Sequence, residues 1–85
     1  MNSVNIIGRL REKIDDHYRY FEYELPFDQT NSEQVTRIVI KNWTRLPNSR
    51  LLVLEDNLRV AMHAHLDADK KFGTILVVEE LQVLR

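Results

Sequence analysis

Apolar and polar residues alternate with a period of two along most of this chain, in short runs separated by polar breaks. Val4, Ile6, Gly8 and Leu10 share one parity, and Asn5, Ile7, Arg9 and Arg11 share the other. This is the pattern of a half-buried strand over 4–10. A glycine inside such a run marks a bend or a close approach of two backbones. After the polar break at 13–17, a second strand is predicted over 18–27. Phe21, Tyr23, Leu25 and Phe27 form its inner set, and Tyr18, Tyr20, Glu22 and Glu24 its outer set. Pro26 limits ladder pairing near its end. Residues 28–34 are a polar loop. A third strand over 35–42 turns Ile38 and Ile40 inward and Arg37, Val39 and Lys41 outward. Pro47-Asn48-Ser49 closes an irregular stretch at a turn. The run over 50–54 fits one helical turn or a short strand, because short apolar runs do not discriminate between the two. Glu55-Asp56-Asn57 turns into a fourth strand over 58–67. Asp69-Lys70-Lys71-Phe72-Gly73 forms a hairpin tip, with Gly73 supplying a positive φ. A fifth strand over 74–84 is irregular at Glu79-Glu80. Five strands with few helical residues predict an all-β chain.

Composition narrows the chemistry. Eighty-five residues accommodate one domain, 1–85. There is no cysteine, hence no disulfide framework and no thiolate metal site, as suits a reducing cytoplasm. The longest apolar runs are four residues, too short to span a bilayer, and the N-terminus lacks a signal-peptide layout. The expected location is therefore cytoplasmic, with no membrane partner. Twelve basic residues face thirteen acidic ones, a net charge of −1. Affinity for nucleic acid must then come from sorting cations onto one face, since no overall basic excess exists. No nucleophile motif or phosphate loop is present. The carboxylate pairs Asp15-Asp16 and Glu79-Glu80 are adjacent in sequence, so on a strand they face opposite ways. His63, His65 and Asp67 share one strand face, but a closed metal site needs a fourth ligand and supporting groups that the pattern lacks. The expectation is no enzyme, no metal and no cofactor: the chain acts by binding.

Four segments carry a family resemblance. They are Val4-Asn5-Ile6-Ile7-Gly8-Arg9-Leu10; Thr36-Arg37-Ile38-Val39-Ile40; Leu58-Arg59-Val60 with Ala64-His65-Leu66; and Phe72-Gly73 followed by the apolar run to Val78 and Leu81-Gln82-Val83-Leu84. In order and spacing the chain resembles the bacterial single-stranded-DNA-binding proteins and their relative, primosomal replication protein N. The resemblance implies a five-stranded OB-fold barrel, a fold that binds oligonucleotides or oligosaccharides on one face. It also implies a helix between strands three and four, which here is short or absent because only 44–54 is available. The family's stacking aromatics on strand three fall near Val35 and Lys41, which are not aromatic. The flexible acidic tail of the larger members has no counterpart here.

Single-strand binding needs cations along the phosphates and flat rings under the bases. In the implied fold strand two lies between strands one and three. The outward set then gathers Arg9, Arg11, Tyr18, Tyr20, Arg37 and Lys41 into one basic, aromatic track. Glu22 and Glu24 share that face and are expected either to repel phosphate or to pair with Arg9, Arg37 or Lys41. Lys70, Lys71 and Phe72 at the hairpin tip form a second contact, unless Phe72 folds back as a plug on the barrel end. Trp43 at the rim is expected to pack rather than to stack. Val39, Leu76 and Val78 are expected to form an outward apolar patch between neighbouring strands three and five, an interface for a homodimer or larger assembly. Two functions compete. One is a single-stranded nucleic-acid binder, with DNA ahead of RNA and little base preference, acting in replication, repair or recombination beside the proteins of those processes. The other is an OB-fold interaction or assembly module that binds no nucleic acid.

Overall fold

The computed structural model describes residues 3–24, 36–42 and 50–84, with only the backbone of Arg50. Five strands and one helical turn follow in the order β1 (Val4–Lys13), β2 (Tyr18–Tyr23), β3 (Arg37–Asn42), α1 (Arg50–Val53), β4 (Arg59–Asp69) and β5 (Gly73–Val83). They close as a barrel in the order β1-β2-β3-β5-β4. All pairings are antiparallel except β3 with β5, which is parallel. This is the predicted OB-fold barrel. The run over 50–54 resolves as one helical turn, so the helix between strands three and four is short rather than absent.

The strand parities are as read for β1, β2 and β3. Leu10, Phe21 and Ile40 are fully buried and join Val60, Met62, Ala64, Leu76 and Val78 in one core. Gly8 pairs with Tyr23 on one side and Val60 on the other. A Cβ at Gly8 would lie 2.3 Å from the Glu22 carbonyl oxygen and 2.7 Å from Phe21 Cζ. The missing side chain is therefore what allows β2 and the Phe21 ring to approach β1. Gly73 turns the β4–β5 hairpin with φ 78°, as its position predicted.

Two bulges set which residues face inward. On β5, Val78 pairs with Ala64 and Glu80 with His63, so Glu79 is the extra residue. It swaps the parity of the strand. Leu76 and Val78 point inward before it, and Leu81 and Val83 pack against the core after it. Unbulged, the strand would drive Glu80 and Gln82 toward the core. On β1, Leu10 pairs with Phe21 and Lys13 with Arg19, leaving Arg11 and Glu12 opposite Tyr20 alone. This carries β1 to Lys13, three residues beyond its predicted end.

At that second bulge the barrel holds a buried arginine. Arg19 is 0 % exposed. Its Nε and Nη2 donate to the Arg11 carbonyl at 2.9 and 2.6 Å. Its Nη1 donates to the Leu51 and Leu54 carbonyls at 2.7 and 2.9 Å. Nη2 also meets Asp56 Oδ1 at 2.9 Å. All five guanidinium N–H groups are thus engaged. Burial pulls the Arg19 pKa down, opposed by Asp56. Leu51 packs into the core beneath α1. Replacing Arg19 with Met should orphan three backbone carbonyls. Because Asp56 is largely exposed, those carbonyls rather than the ion pair set the loss, about 3 kcal/mol or more. The thermal midpoint is expected to fall by more than about 10 °C; an unchanged midpoint would show that the fork carries no stability.

Candidate functional site

The outer wall of β1, β2 and β3 divides into an arginine half and a lysine–aromatic half. In the first, register places Arg59, Arg9, Glu22 and Arg37 in one row across β4, β1, β2 and β3. Arg9 Nη1 donates to the Asn57 carbonyl at 2.8 Å. Arg11 bonds the Asn57 side chain and pairs with Glu22 at 3.7 Å. Asn57 itself has φ 70°, so both arginines brace the left-handed turn that leads into β4. Arg59 takes Glu24 through two contacts, at 2.7 and 3.1 Å. Arg37 pairs with Glu12 and lies 4.8 Å over the Tyr20 ring. These side chains are held in a mixed-charge lattice.

The second half is different. The ion pairs among the described residues involve Arg11, Arg19, Arg37, Arg59 and His65, and none includes Lys41, Lys70 or Lys71. Tyr18 opens β2 where Asp15 caps the turn, its Oδ1 accepting the His17 and Tyr18 amides at 2.8 and 3.0 Å. Lys41, paired with Tyr18 in the ladder, places its ammonium 5.9 Å from the Tyr18 ring centre. The β4–β5 hairpin arches back so that the Phe72 ring sits 4.9 Å from that of Tyr18, tilted by 51°. Lys71 lies 5.3 Å over Phe72. Phe72 is half-buried against Tyr18, neither freely exposed nor a plug in the core. Tyr18, Lys41, Lys71 and Phe72 therefore converge, with Tyr20 one outward position along β2. Lys70 is exposed at the tip beside them.

The expected outward apolar patch of Val39, Leu76 and Val78 does not form. Leu76 and Val78 are 2 % and 0 % exposed and belong to the core. The parallel register of Ile40 with Leu76 brings that parity of β5 inward. The outward parity, Ile75 and Val77, is also buried. Val39 alone of the three is outward, half-buried beside Tyr20. Of the two carboxylates expected to pair with Arg9, Arg37 or Lys41, Glu24 takes Arg59 and Glu22 takes Arg11. His63 and His65 bond separate partners, Asn5 and Glu79, each at 2.8 Å, and no metal-binding group of three is found among the described residues. No described helix is long and apolar enough to cross a membrane. Trp43, Leu25, Phe27 and Val35 lie outside the described residues. Sequence reasoning missed Arg59 and Asp69. The alternation of Val60, Met62 and Ala64 would have turned Arg59 outward. An aspartate two residues before a tip amide is a familiar turn former.

No family model and no curated protein matches the sequence. Solved structures do match the fold. A mitochondrial single-stranded-DNA-binding protein of S. cerevisiae, Rim1, superposes with TM-score 0.67 at 15 % identity, covering 99 % of this chain and 94 % of that one. The N-terminal domain of a PriB protein from Thermoanaerobacter tencongensis, described as dimeric, gives 0.66 at 21 %, covering 99 % and 97 %. A replication protein A heterotrimer bound to single-stranded DNA gives 0.59 at 13 %, covering all of this chain and 59 % of that one. The OB-fold implied by the order of the strands is thus met at the level of structure.

Four carboxylates are held below their ordinary pKa values. Hydrogen bonds dominate: for Glu12 its own backbone amide, for Asp15 the His17 amide, for Glu24 the Arg59 guanidinium and for Asp69 the Tyr18 hydroxyl. A carboxylate depressed by folding stabilises the native state above its unfolded pKa, near 3.8 for Asp and 4.5 for Glu. That stabilisation is lost as pH falls through the lower folded value. The Tyr18 phenol is raised above 10.0 by the bond to Asp69, so its contribution is present below pH 10 and lost above it. The thermal midpoint should fall as pH drops below about 4, where these carboxylates protonate. Calorimetry on either side of that pH tests this; a midpoint that rises on acidification contradicts it.

Proposed function

We propose that this chain binds single-stranded nucleic acid, DNA in the first instance, with little base preference, in replication, repair or recombination. The supporting observation is the convergence of Tyr18 and Phe72 with Lys41 and Lys71, cations outside the ion pairs of the wall. Rings offer stacking faces to any base, and ammonium groups beside them meet the phosphates. Lys70 extends the cationic tip, and Tyr20 continues the track toward Arg37. Arg9, Arg11 and Arg37 play a lesser part, since each is already engaged by Asn57, Glu22 or Glu12. The fold neighbours are single-stranded-DNA-binding and replication proteins by name, which agrees with this reading.

The competing reading, an assembly module without nucleic-acid binding, draws on the mixed-charge arginine half. Polarisation titration of a labelled oligothymidylate decides between them. Binding is expected to weaken with salt, with a log–log slope near −0.7 per phosphate met. Lys41→Ala and Lys71→Ala should each flatten that slope by about 0.7, whereas Phe72→Ala should cost about 1–3 kcal/mol at unchanged slope. No binding to any strand, or a salt-independent titration, favours the assembly module.

Self-association belongs to the same proposal, moved to another face. Ile7 is 42 % exposed and lies with Ala61 in an open groove that Asn5, His63 and Gln82 also line. One fold neighbour is described as a dimer. Sedimentation velocity should show a dimer for the native chain and a monomer for Ile7→Glu. A monomeric native chain removes this part of the proposal.

A further inference from the structure

The hairpin tip is fastened to β2 by one carboxylate. Asp69 Oδ2 accepts the Tyr18 hydroxyl at 2.8 Å. Its Oδ1 accepts the Lys71 and Phe72 amides at 2.7 and 3.1 Å. The first bond joins residues fifty-one apart in sequence, and the other two hold the backbone of the two tip residues that approach Tyr18. Behind them the two arms are joined by the ladder. The β4–β5 ladder runs on to Asp69 opposite Gly73, but on β4 Leu66, Asp67 and Ala68 are exposed, so the last stretch of that strand adds no buried residue before the tip. The ladder fixes the arms but not the tip side chains beyond it, and each ring ordered on binding costs affinity. Fixing the tip in advance removes that cost.

We propose that Asp69 is a positioning residue, whose carboxylate ties the β4–β5 tip to the Tyr18 hydroxyl and so holds Phe72 and Lys71 ready for a single strand. The inference rests on the nucleic-acid reading above. It also runs against simple electrostatics. Asp69 is an acid beside three lysines, so neutralising it ought to strengthen attraction for phosphate. A latch makes the opposite demand: neutralisation weakens binding. Tyr18→Phe offers an independent cut, because it removes only the hydroxyl and keeps the stacking ring.

The test is a double-mutant cycle on the full chain, with labelled oligothymidylate as the probe at fixed salt. Asp69→Asn and Tyr18→Phe are each expected to weaken binding about three- to tenfold, the scale of one ordered hydrogen bond. In a Phe72→Ala background Asp69→Asn should cost clearly less than in the native chain, because the ring is gone and only Lys71 is left to position. A general loss of stability would instead act equally in both backgrounds. Amide exchange at Lys71 and Phe72 should accelerate in both single variants while the core amides stay protected. Equal or tighter binding by Asp69→Asn overturns the proposal, as do additive losses with Phe72→Ala. If the native chain binds no oligonucleotide, the functional reading fails and takes the binding role of Asp69 with it. Tip exchange still reports separately whether the carboxylate holds the hairpin.

Discussion

The five N–H groups of Arg19 hold together the parts of this barrel that apolar packing does not reach. A guanidinium at full burial is costly unless every donor is engaged, and here each one is. Its partners come from the β1 bulge, from the end of α1 and from the turn before β4. These irregular pieces expose carbonyls with no ladder partner, and one planar fork gathers them. The Arg9 and Arg11 bonds to Asn57 continue the work on the same turn from outside. Cations that a charge count would assign to ligand binding thus also secure the connection between α1 and β4.

Much of the architecture was legible. The inward sets of β1, β2 and β3, the tight approach at Gly8, the positive φ at Gly73 and the irregularity at Glu79 all follow from residue type and spacing. Two things were not. Arg19 shares the inward parity of Phe21, but arginine is so rarely buried that parity alone does not place it inside. The run Ile75-Leu76-Val77-Val78 is apolar on both parities, so alternation cannot say which pair faces in. The parallel pairing with β3 decides it, and that contact is remote in sequence.

The candidate site was legible as a set of residues rather than as an arrangement. Parity turned Tyr18, Tyr20, Arg37 and Lys41 outward, and they stand there. What it did not reveal is the partition of cations. Arginine forks lie beside carboxylates on neighbouring strands and form pairs with them, while the lysines near the hairpin stand outside those pairs. Planar, multidentate guanidinium groups suit fixed contacts, whereas the compact ammonium on its flexible stem suits a moving polyanion. The division of the wall follows that chemistry. Tip and strand meet because a hairpin two residues longer at β4 than the pattern implied has the reach to bend over the barrel end.

The extra residue at Glu79 has a consequence for how the sequence can drift. Side chains on either side of it belong to two different phases of the same strand, and the bulge is the shift between them. Many residue types fit an unpaired, half-buried bulge, so the identity at 79 is loosely constrained apart from its bond to His65. The count is not. Losing one residue there would turn the last stretch of β5 inside out, and gaining one between Gly73 and Val78 would do the same to its first half. Over this strand, natural variation should therefore preserve length more strictly than letters.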